Sequence, residues 1–338
     1  MRFLQYIPLL EAGGVEVCVS PLLSDEYLKT YYAGRSAHWM GLFIVYLRRM
    51  LVLLKVRKYE LIWIEKELFP NFPAWFEMLL IRFGVAYVVD YDDAIFHNYD
   101  LSVNPLKKLM SRKIDKVMRA SDLVVCGNAY LAERASQAGA RRVEVLPTVI
   151  DLQRYTVSHT DDRKTIVLGW VGSPATVKYL EGISSVLQRL SAKFSIRLCV
   201  IGAEFFAEGL DVECRPWTEE NEVTDIQDFD IGIMPLHDSP WERGKCGYKL
   251  IQYMACGLPC VASPVGVNET IIKNGINGYL ASNMEEWFET LNLLCVDTEA
   301  RRSMGDQGRQ MVEQTYCIQV TAPRLARLFA EVVAAEVV

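Results

Sequence analysis

Two lysines and two glycines stand at the start of an apolar helical pattern in residues 244–266, which read GKCGYKLIQYMACGLPCVASPVG. Apolar residues recur at helical spacing from Leu250 to Ala255 and predict a short helix that begins near Gly247 and ends at the following Gly-Leu-Pro. Backbone N–H groups at a helix N-terminus, together with Lys245, would form a site for an anion. A surface loop with a solvated lysine explains the same residues equally well.

A second cluster of reactive side chains is DYDDAIFH, residues 90–97. Asp90, Asp92 and Asp93 follow a predicted strand, and the ligands of a parallel sheet gather at the carboxyl ends of its strands. We interpret these acids as groups that bind a hydroxyl or position His97. Metal binding is a weaker alternative because the three acids lack a fixed set of partner ligands.

The end of the next predicted strand carries Asn128, which is expected to cap a helix and contact a substrate as well. His237 follows a strand of the second half and is a weaker candidate for the same kind of role.

The composition is that of an ordinary globular protein, because 51% of the 338 residues are hydrophobic and 23% are charged. The net charge of -6 argues against a dedicated nucleic-acid binder, which usually carries a basic domain. The nine cysteines lack metal-type spacing and are interpreted as reduced core thiols of a cytoplasmic protein. No signal peptide is recognised at the start, and residues 39–54 are too short and too charged to cross a bilayer.

Short β-type runs alternate with helical patterns, which is typical of βαβ units and parallel sheets. The first half has strand candidates at 15–20, 61–65, 86–90, 123–126 and 143–146, and helices around 37–57, 72–83, 105–119 and 128–138. The second half has strand candidates at 165–171, 196–202, 212–215, 230–236, 259–263 and 278–282, and helices near 178–192, 247–256, 283–295 and 298–314. Ser282 and Glu285 fit a capping box.

These patterns predict an α/β fold with two Rossmann-like doubly wound domains that face each other across a cleft, where the site is expected. The predicted divisions are an N-terminal domain at 1–150, a polar linker at 151–164, a C-terminal domain at 165–316 and a C-terminal helix at 317–338.

The first domain departs from the usual pattern because its opening strand is missing. The chain begins with a helical pattern, RFLQYIPLLEAGG, which Gly13 and Gly14 close. We expect the natural start to lie upstream of Met1. If the strand is truly absent, the domain exposes a sheet edge and is poorly stable.

Basic and aliphatic residues are mixed in RRMLVLLKVRKY, residues 48–59. One interpretation is an amphipathic face that contacts an anionic membrane surface, which would place the protein peripherally at the inner face of the membrane. The other is a helix packed in the core whose arginines and lysines are solvated.

The order and spacing of several segments resemble the retaining glycosyltransferases of the family-four (group 1) type, which have the GT-B fold. The segments are ELFP, VVDYDDAIFH, VCGNAYLAERA, VLPTVID, GWVGSPATVKYL, DIGIMPL, YKLIQYMACGLPCVASPVGVNETIIKNGINGYLA, EEWFETLNLL and RRSMGDQGRQ. The resemblance covers nearly the whole chain from Gln5 to about Tyr316. It implies a nucleotide-sugar donor, such as a UDP- or GDP-sugar, that is held mainly by the second domain, with no cofactor and no metal ion. It also implies that the C-terminal helix packs on the first domain.

The resemblance assigns the donor diphosphate to the second domain. Gly172 would let the backbone approach it, and Lys245 and Lys249 would neutralise it as it leaves. Further donor contacts are implied at Ser173, Thr176, Lys178, Gly266, Val267, Asn268 and Glu269, although Glu269 is equally well explained as an ordinary first-turn acid. In the first domain His97 matches a histidine near the reacting sugar, and Asp90, Asp92, Asp93 and Asn128 would bind the acceptor.

The chain departs from the family at a pair of glutamates. Alignment of IQYMACGLP places Gln252 at the second glutamate and Gly244 at the first. Gln252 could still bind a ribose hydroxyl through a neutral group. Glu242, two residues before Gly244, could supply a carboxylate.

The resemblance implies transfer of a hexose from a nucleotide diphosphate sugar to a glycan or lipid-linked hydroxyl acceptor with retention of configuration, as in the synthesis of cell-envelope polysaccharides. Two other hypotheses stay open. A sugar-nucleotide epimerase shares this architecture and would act without an acceptor. A truncated binding or scaffold protein would explain the missing strand and the absent glutamates.

Overall fold

A computed structural model of the protein describes residues 2–23, 39–157 and 164–336. The chain forms two compact units, of which unit 1 comprises Met1–Leu146 and Ala322–Val338 and unit 2 comprises Pro147–Thr321. Parts of three predicted segments, residues 37–38, 158–163 and 337–338, lie outside the described residues.

Unit 1 contains a parallel sheet of four strands in the order β1-β2-β3-β4. The strands are β1 (Leu61–Glu65), β2 (Ala86–Tyr91), β3 (Leu123–Cys126) and β4 (Val143–Val145). All residues of β2 and β3 are buried, as expected for strands that are apolar on both faces and covered by helices on each side. Four of the five strands predicted for the first half are therefore confirmed.

The remaining predicted strand, at residues 15–20, is wrong. Those residues form no strand, and among the described residues none precedes Leu61. Val15 and Val19 are exposed, so the apolar residues that suggested a strand are not buried against a core. The opening helix is confirmed as a 3₁₀ turn at Leu4–Tyr6 that continues into Ile7–Ala12.

The longer helices of unit 1 match the predicted positions, except that residues 105–119 form two helices instead of one. The described helices are Trp39–Leu53, Trp75–Arg82, His97–Asp100, Pro105–Leu109, Lys113–Ala120 and Ala129–Ala138, with a 3₁₀ turn at Val56–Lys58. No helix in the described residues is long and apolar enough to cross a membrane.

Unit 2 contains a parallel sheet of six strands in the order β10-β9-β8-β5-β6-β7. The strands are β5 (Ile166–Val171), β6 (Ile196–Ile201), β7 (Asp211–Arg215), β8 (Ile231–Met234), β9 (Cys260–Ala262) and β10 (Gly278–Leu280). All six predicted strands are confirmed. Because the chain extends from β5 in one direction and then returns to β8 on the other side, the strand order reverses between β5 and β8, where such sheets bind ligands.

The helices of unit 2 flank this sheet. They are Lys178–Glu181, Ser184–Ser191, Glu222–Gln227, Pro240–Arg243, Tyr248–Ala255, Asn268–Ile271, Met284–Val296 and Thr298–Thr315. The helix predicted at 178–192 is divided in two at Gly182 and Ile183.

The last helix, Ile318–Glu336, begins in unit 2 and continues into unit 1. Within unit 1 its Phe329 ring packs 5.2 Å from the ring of Trp63, and Glu331 pairs with Arg142 at 2.7 Å. Leu325 and Leu328 are buried, so this end of the helix belongs to the core of unit 1.

The capping box predicted at Ser282 and Glu285 is displaced by one residue. Asn283 is the N-cap, and its Oδ1 accepts from the N–H groups of Glu285 and Glu286 at 3.1 and 3.0 Å. The Glu286 carboxylate accepts in return from the Ser282 N–H at 2.6 Å. The sequence SNMEE allows both registers, and the structure selects the one in which the amide side chain caps.

Substitution of this cap tests the corrected register. We expect Asn283→Ala to lower the free energy of unfolding by about 1 kcal/mol, because two helix N–H groups lose their acceptor. The matched Ser282→Ala change should cost much less, since only the backbone N–H of Ser282 takes part. Urea unfolding of unit 2, followed by far-ultraviolet circular dichroism, measures both changes, and a larger effect at Ser282 would restore the original register.

Candidate functional site

The carboxyl ends of β5 and β8 form the candidate site of unit 2. Gly172 follows β5 directly, and its N–H donates to the carbonyl of Ile201 at 2.9 Å. A Cβ at this position would lie 2.1 Å from Cη2 of Trp170, so only glycine fits beside that ring. The loop therefore has no side chain at this position, where the strand order of the sheet reverses. A bulky anionic ligand could approach the backbone there.

The hydroxyl groups of this loop form hydrogen bonds mainly within the loop. The N–H of Ser173 donates to Oγ1 of Thr176 at 3.0 Å, and that hydroxyl donates to the carbonyl of Ser173 at 3.0 Å. The predicted donor contacts at Ser173 and Thr176 thus form a closed turn. Lys178 begins the next helix, with its ammonium 5.3 Å from the ring centroid of Tyr179.

The side chain of Lys249 contacts the ring of Trp170, the same ring that lies beside Gly172. Its Nζ is 4.5 Å from the centroid of the Trp170 ring, which is fully buried in β5. Burial, and secondarily the charge of Lys245, lower the pKa of Lys249 to about 7. No carboxylate in the described part of the chain pairs with this ammonium group. A negative charge placed beside it would raise its pKa and favour the charged form.

A buried carboxylate stands on the β8 side of the site. Glu242 is 7% exposed and accepts hydrogen bonds from the hydroxyls of Tyr179 and Ser239. Burial alone would raise the pKa of Glu242, but these hydrogen bonds and Lys245 outweigh it and lower the pKa. The carboxylate therefore stays ionised, and its oxygens are directed to Tyr179 and Ser239.

The helix Tyr248–Ala255 begins beside these groups with no side-chain cap. Its N-cap, Gly247, leaves the first backbone N–H groups of the helix available to an anion. Lys249 is the second residue of this helix, so the free amide groups and the ammonium come from the same turn. This arrangement fits the anion site expected from the sequence, and binding of an anion there stays a prediction.

The turn after β9 packs against the loop that carries Lys245. Gly266 has a φ of +57°, and a Cβ there would lie 2.7 Å from the carbonyl oxygen of Arg243. Val267 lies beside Gly247, whereas Glu269 is exposed. Asn268 is buried and donates to the carbonyl of Ser263 at 3.0 Å, so its side chain supports the turn and faces away from solvent.

Gln252 does not join these residues. It is 2% exposed, and its Nε2 donates to the hydroxyl of Tyr155 at 2.9 Å. Tyr155 in turn donates to Glu222 at 2.6 Å, and Glu222 also accepts from the indole N–H of Trp217 at 2.8 Å. The side chain expected to bind a ribose hydroxyl is part of a buried network, so we do not include it in the proposed site.

In unit 1, Asp90 has a structural partner. It is 1% exposed and pairs with Nε of Arg2 at 2.9 Å, while the Arg2 guanidinium also donates to the carbonyl of Leu146 at 2.7 Å. Burial raises the pKa of Asp90 to about 6, although Arg2 opposes the shift. Because the carboxylate is enclosed with Arg2, the predicted contact of Asp90 with an acceptor is not supported.

Asp92 and Asp93, which follow β2, flank Lys66, which directly follows β1. Lys66 Nζ lies 3.0 Å from Asp92 and 3.8 Å from Asp93, and Lys66 itself has a φ of 64°, which is uncommon for a residue with a side chain. Burial lowers the pKa of Lys66, but the two carboxylates outweigh it and raise the pKa. Both acids are partly exposed, so their predicted role in acceptor binding stays a prediction.

His97 is held at both ring nitrogens. Nδ1 lies 2.8 Å from Oδ1 of Asp100, and Nε2 lies 2.9 Å from the hydroxyl of Tyr130. Its expected place beside a reacting sugar stays a prediction. Asn128 caps the helix Ala129–Ala138, as predicted, by accepting from the N–H of Leu131 at 2.9 Å.

Sequence reasoning missed three residues that shape the site, Trp170, Tyr179 and Ser239. Trp170 was assigned only to a strand, and no local signal shows that its ring faces Lys249. Tyr179 lies 63 residues from its partner Glu242, a separation that pattern reasoning does not bridge. Ser239 could have been found, since it precedes Glu242 by three residues in the pattern of a capping box. Among the described residues, no three His, Cys, Asp or Glu side chains form a group that could hold a metal ion.

Comparison with known proteins shows what this chain is similar to. Residues 165–297 match the family model described as glycosyl transferases group 1. A curated relative, the D-inositol 3-phosphate glycosyltransferase of Xylanimonas cellulosilytica, is 24% identical over 250 residues. The match covers 64% of this chain, and the chain spans only 58% of the length of that relative.

Solved structures show the fold. The sucrose-phosphate synthase of Thermosynechococcus elongatus matches with a TM-score of 0.69 and 14% identity, covering 89% of this chain and 81% of that chain. The Anabaena protein HepE, solved in complex with UDP-glucose, matches with a TM-score of 0.67 and 16% identity, covering 84% and 82% of the two chains. The prediction of a GT-B fold, with two α/β domains built on parallel sheets, is confirmed.

Proposed function

We propose that this chain, whose residues 165–297 match the group 1 glycosyl transferases, acts as one of them and transfers a hexose from a UDP-sugar to a hydroxyl acceptor with retention of configuration. The donor assignment is supported by HepE, a structural neighbour whose structure contains UDP-glucose. The reaction class is also supported by the relative from Xylanimonas cellulosilytica, which is itself a glycosyltransferase.

The observation that carries the proposal is the environment of Lys249. This cation is held 4.5 Å from a buried tryptophan ring, has no carboxylate partner in the described residues, and shares a helix turn with uncapped N–H groups. Burial disfavours the charged form of a lysine, so such a group is tolerated where a ligand supplies the opposite charge. A diphosphate fits this description because it brings negative charge and several hydrogen-bond acceptors to one place.

The reaction follows from these positions. The bond between the anomeric carbon and the diphosphate oxygen breaks, and negative charge grows on that oxygen as it leaves. Lys249, Lys245 and the helix N–H groups stabilise this charge, an effect that is commonly the largest in catalysis. The acceptor hydroxyl attacks the same face of the sugar, and its proton passes to the departing phosphate oxygen.

Nucleotide release tests the proposal. The full-length protein is incubated with UDP-glucose, UDP-galactose, UDP-N-acetylglucosamine and GDP-mannose, and the free nucleotide is measured with and without candidate acceptors. We expect release from at least one UDP-sugar and stimulation by an acceptor. Isomerised UDP-sugar formed without an acceptor would instead identify an epimerase. The absence of binding to every nucleotide would contradict the proposal.

The lowered pKa of Lys249 predicts that UDP binding takes up a proton. At pH 8 the lysine of the ligand-free protein is mostly neutral, since its pKa is about 7, whereas a bound diphosphate would raise that pKa and protonate it. The terminal phosphate of UDP is already ionised at this pH, because its second pKa is about 6. Affinity for UDP should therefore fall as the pH rises above 7.

Calorimetry in buffers of different ionisation enthalpy measures this uptake, which we expect to approach one proton at pH 8. Lys249→Gln should abolish it. The matched control is Lys193→Gln, an exposed lysine of the same unit, which should leave the uptake unchanged. Equal uptake in the Lys249 variant would show that another group titrates.

A further inference from the structure

The helix Trp39–Leu53 of unit 1 presents an unusual exposed surface. Six large apolar side chains along and just beyond it are each between 44% and 73% exposed, and we call this set the apolar stripe. The stripe consists of Phe43, Ile44, Leu47, Met50, Leu51 and Leu54. At 3.6 residues per turn these positions fall within an arc of about 120°, so they form one continuous face.

The opposite side of the same helix packs on unit 1. Leu53 is buried, and the hydroxyl of Tyr46 donates to the carbonyl of Pro70 at 2.8 Å. Arg49, on that side as well, donates to the carbonyl of Ser20 at 2.7 Å. The helix is therefore fixed by its packed side, and the apolar stripe faces outward. Polar residues would be expected there in an ordinary surface helix.

Positive charge borders the apolar stripe. Residues 39–59 contain five basic residues and no acid, and the first acid after them is Glu60. Arg48 and Lys55 are exposed at one edge of the stripe, and Arg57 and Lys58 follow in the next turn. An apolar face beside basic residues is the pattern of helices that lie in the interface of an anionic bilayer.

Other apolar side chains of unit 1 are exposed as well. The ring of Tyr46 lies 5.3 Å from that of Phe72, which is exposed, and the N–H of Asn71 donates to the hydroxyl of Tyr99 at 3.0 Å. The short helix Pro105–Leu109 of unit 1 also exposes Leu106 and Leu109, together with Lys108. Of the large apolar side chains exposed in the described residues, most belong to unit 1.

We propose that the apolar stripe and its basic border dock on the surface of a bilayer that contains anionic lipids, with the helix Trp39–Leu53 lying along that surface. The charge complementarity between the four exposed basic residues, Arg48, Lys55, Arg57 and Lys58, and anionic headgroups selects this partner over a neutral apolar one. The proposal does not depend on the glycosyl transfer, because unit 2 carries every residue used to argue for the donor site.

Sedimentation with vesicles tests the proposal. The wild-type protein should bind vesicles of phosphatidylcholine with 30% phosphatidylglycerol, and 0.5 M salt should weaken the binding by screening. Leu47→Glu combined with Leu51→Glu should reduce partitioning at least tenfold, because both changes place carboxylates in the stripe. Arg48→Ser combined with Lys55→Ser should reduce it roughly 25-fold, at about fivefold for each charge.

The matched control is Phe206→Glu, which adds a carboxylate at an apolar residue of unit 2 that is 85% exposed, and it should leave partitioning unchanged. All variants should keep their circular dichroism spectrum and their affinity for UDP. Equal binding to pure phosphatidylcholine, or no binding to either vesicle, would overturn the proposal. A wild-type dimer in sedimentation velocity that becomes monomeric in the double-leucine variant would also overturn it, since a second copy would then cover the stripe.

Discussion

Replacement of Lys249 with alanine is expected to lower kcat/KM for UDP-sugar turnover by roughly 10²–10³-fold, the usual cost of losing one group that stabilises charge in the transition state. The ammonium group is placed by the helix Tyr248–Ala255 and by the ring of Trp170, 4.5 Å away. Lys249→Arg should recover little of the activity, because a planar guanidinium does not match a site shaped for a compact ammonium.

The stability of the Lys249 variants gives a second, independent expectation. The pKa of Lys249 is about 7 in the folded protein and 10.5 ordinarily, so between these values the unfolded chain binds more protons. The charged lysine therefore destabilises the fold at neutral pH and below, and the penalty disappears as the pH rises toward 10.5. Lys249→Met should leave the protein as stable as wild type, or more so, while activity falls.

Two measurements separate these effects. Release of UDP gives the activity, and urea unfolding at pH 7 gives the stability. Lys193→Ala, which removes an exposed lysine of the same unit, serves as the control for general changes in charge. If the combined variant Lys245→Ala and Lys249→Ala turned over UDP-sugars at the wild-type rate, the diphosphate site would be wrong.

The largest effect on stability is expected at Arg2. Removal of its guanidinium in Arg2→Ala leaves Asp90 buried without its partner, and breaking such a pair typically costs about 3–5 kcal/mol. The penalty should shrink at low pH. Burial already raises the pKa of Asp90 to about 6 despite Arg2, so the unpaired carboxyl becomes neutral more readily as the pH falls.

Hydrogen exchange of peptides from β2, read by mass spectrometry at pH 8 and at pH 5, reports the stability of unit 1 separately from unit 2. The combined variant Arg2→Ala and Asp90→Asn should recover part of the loss, because a neutral amide is cheaper to bury. The control is Arg141→Ala, whose guanidinium is 71% exposed and 3.6 Å from Asp122, and it should cost less than about 1 kcal/mol. Equal protection of β2 in the Arg2 variant and the wild type would contradict the structural role of the pair.

The sequence predicted elements well where local pattern and burial agree. Strands such as β2 and β3 are apolar on both faces and buried throughout, so their pattern has one interpretation. Residues 15–20 have a similar composition, but they are mostly exposed, so burial does not stabilise a strand there and none forms. The capping box was shifted by one residue because Ser282 and Asn283 are both good caps, and local preference does not choose between them.

The candidate site shows the same division. The uncapped helix start and Lys245 follow from local order, because backbone N–H groups at a helix N-terminus and a nearby lysine favour an anion. Gly172 and Lys249 were expected from the resemblance to a family. The roles of Asp90 and Gln252 could not be predicted. Each found a buried partner far along the chain, Arg2 at a separation of 88 residues and Tyr155 at a separation of 97.

By itself the sequence determined the type of fold and the position of nearly every strand, and it predicted the segment in which we propose that an anion binds. These depend on periodicity and on backbone chemistry, which act over a few neighbouring residues. The tertiary structure alone decided which polar side chains remain available to a ligand. That choice depends on which partners meet when the core closes, since a buried carboxylate or amide must find a hydrogen bond and will take the nearest one in space.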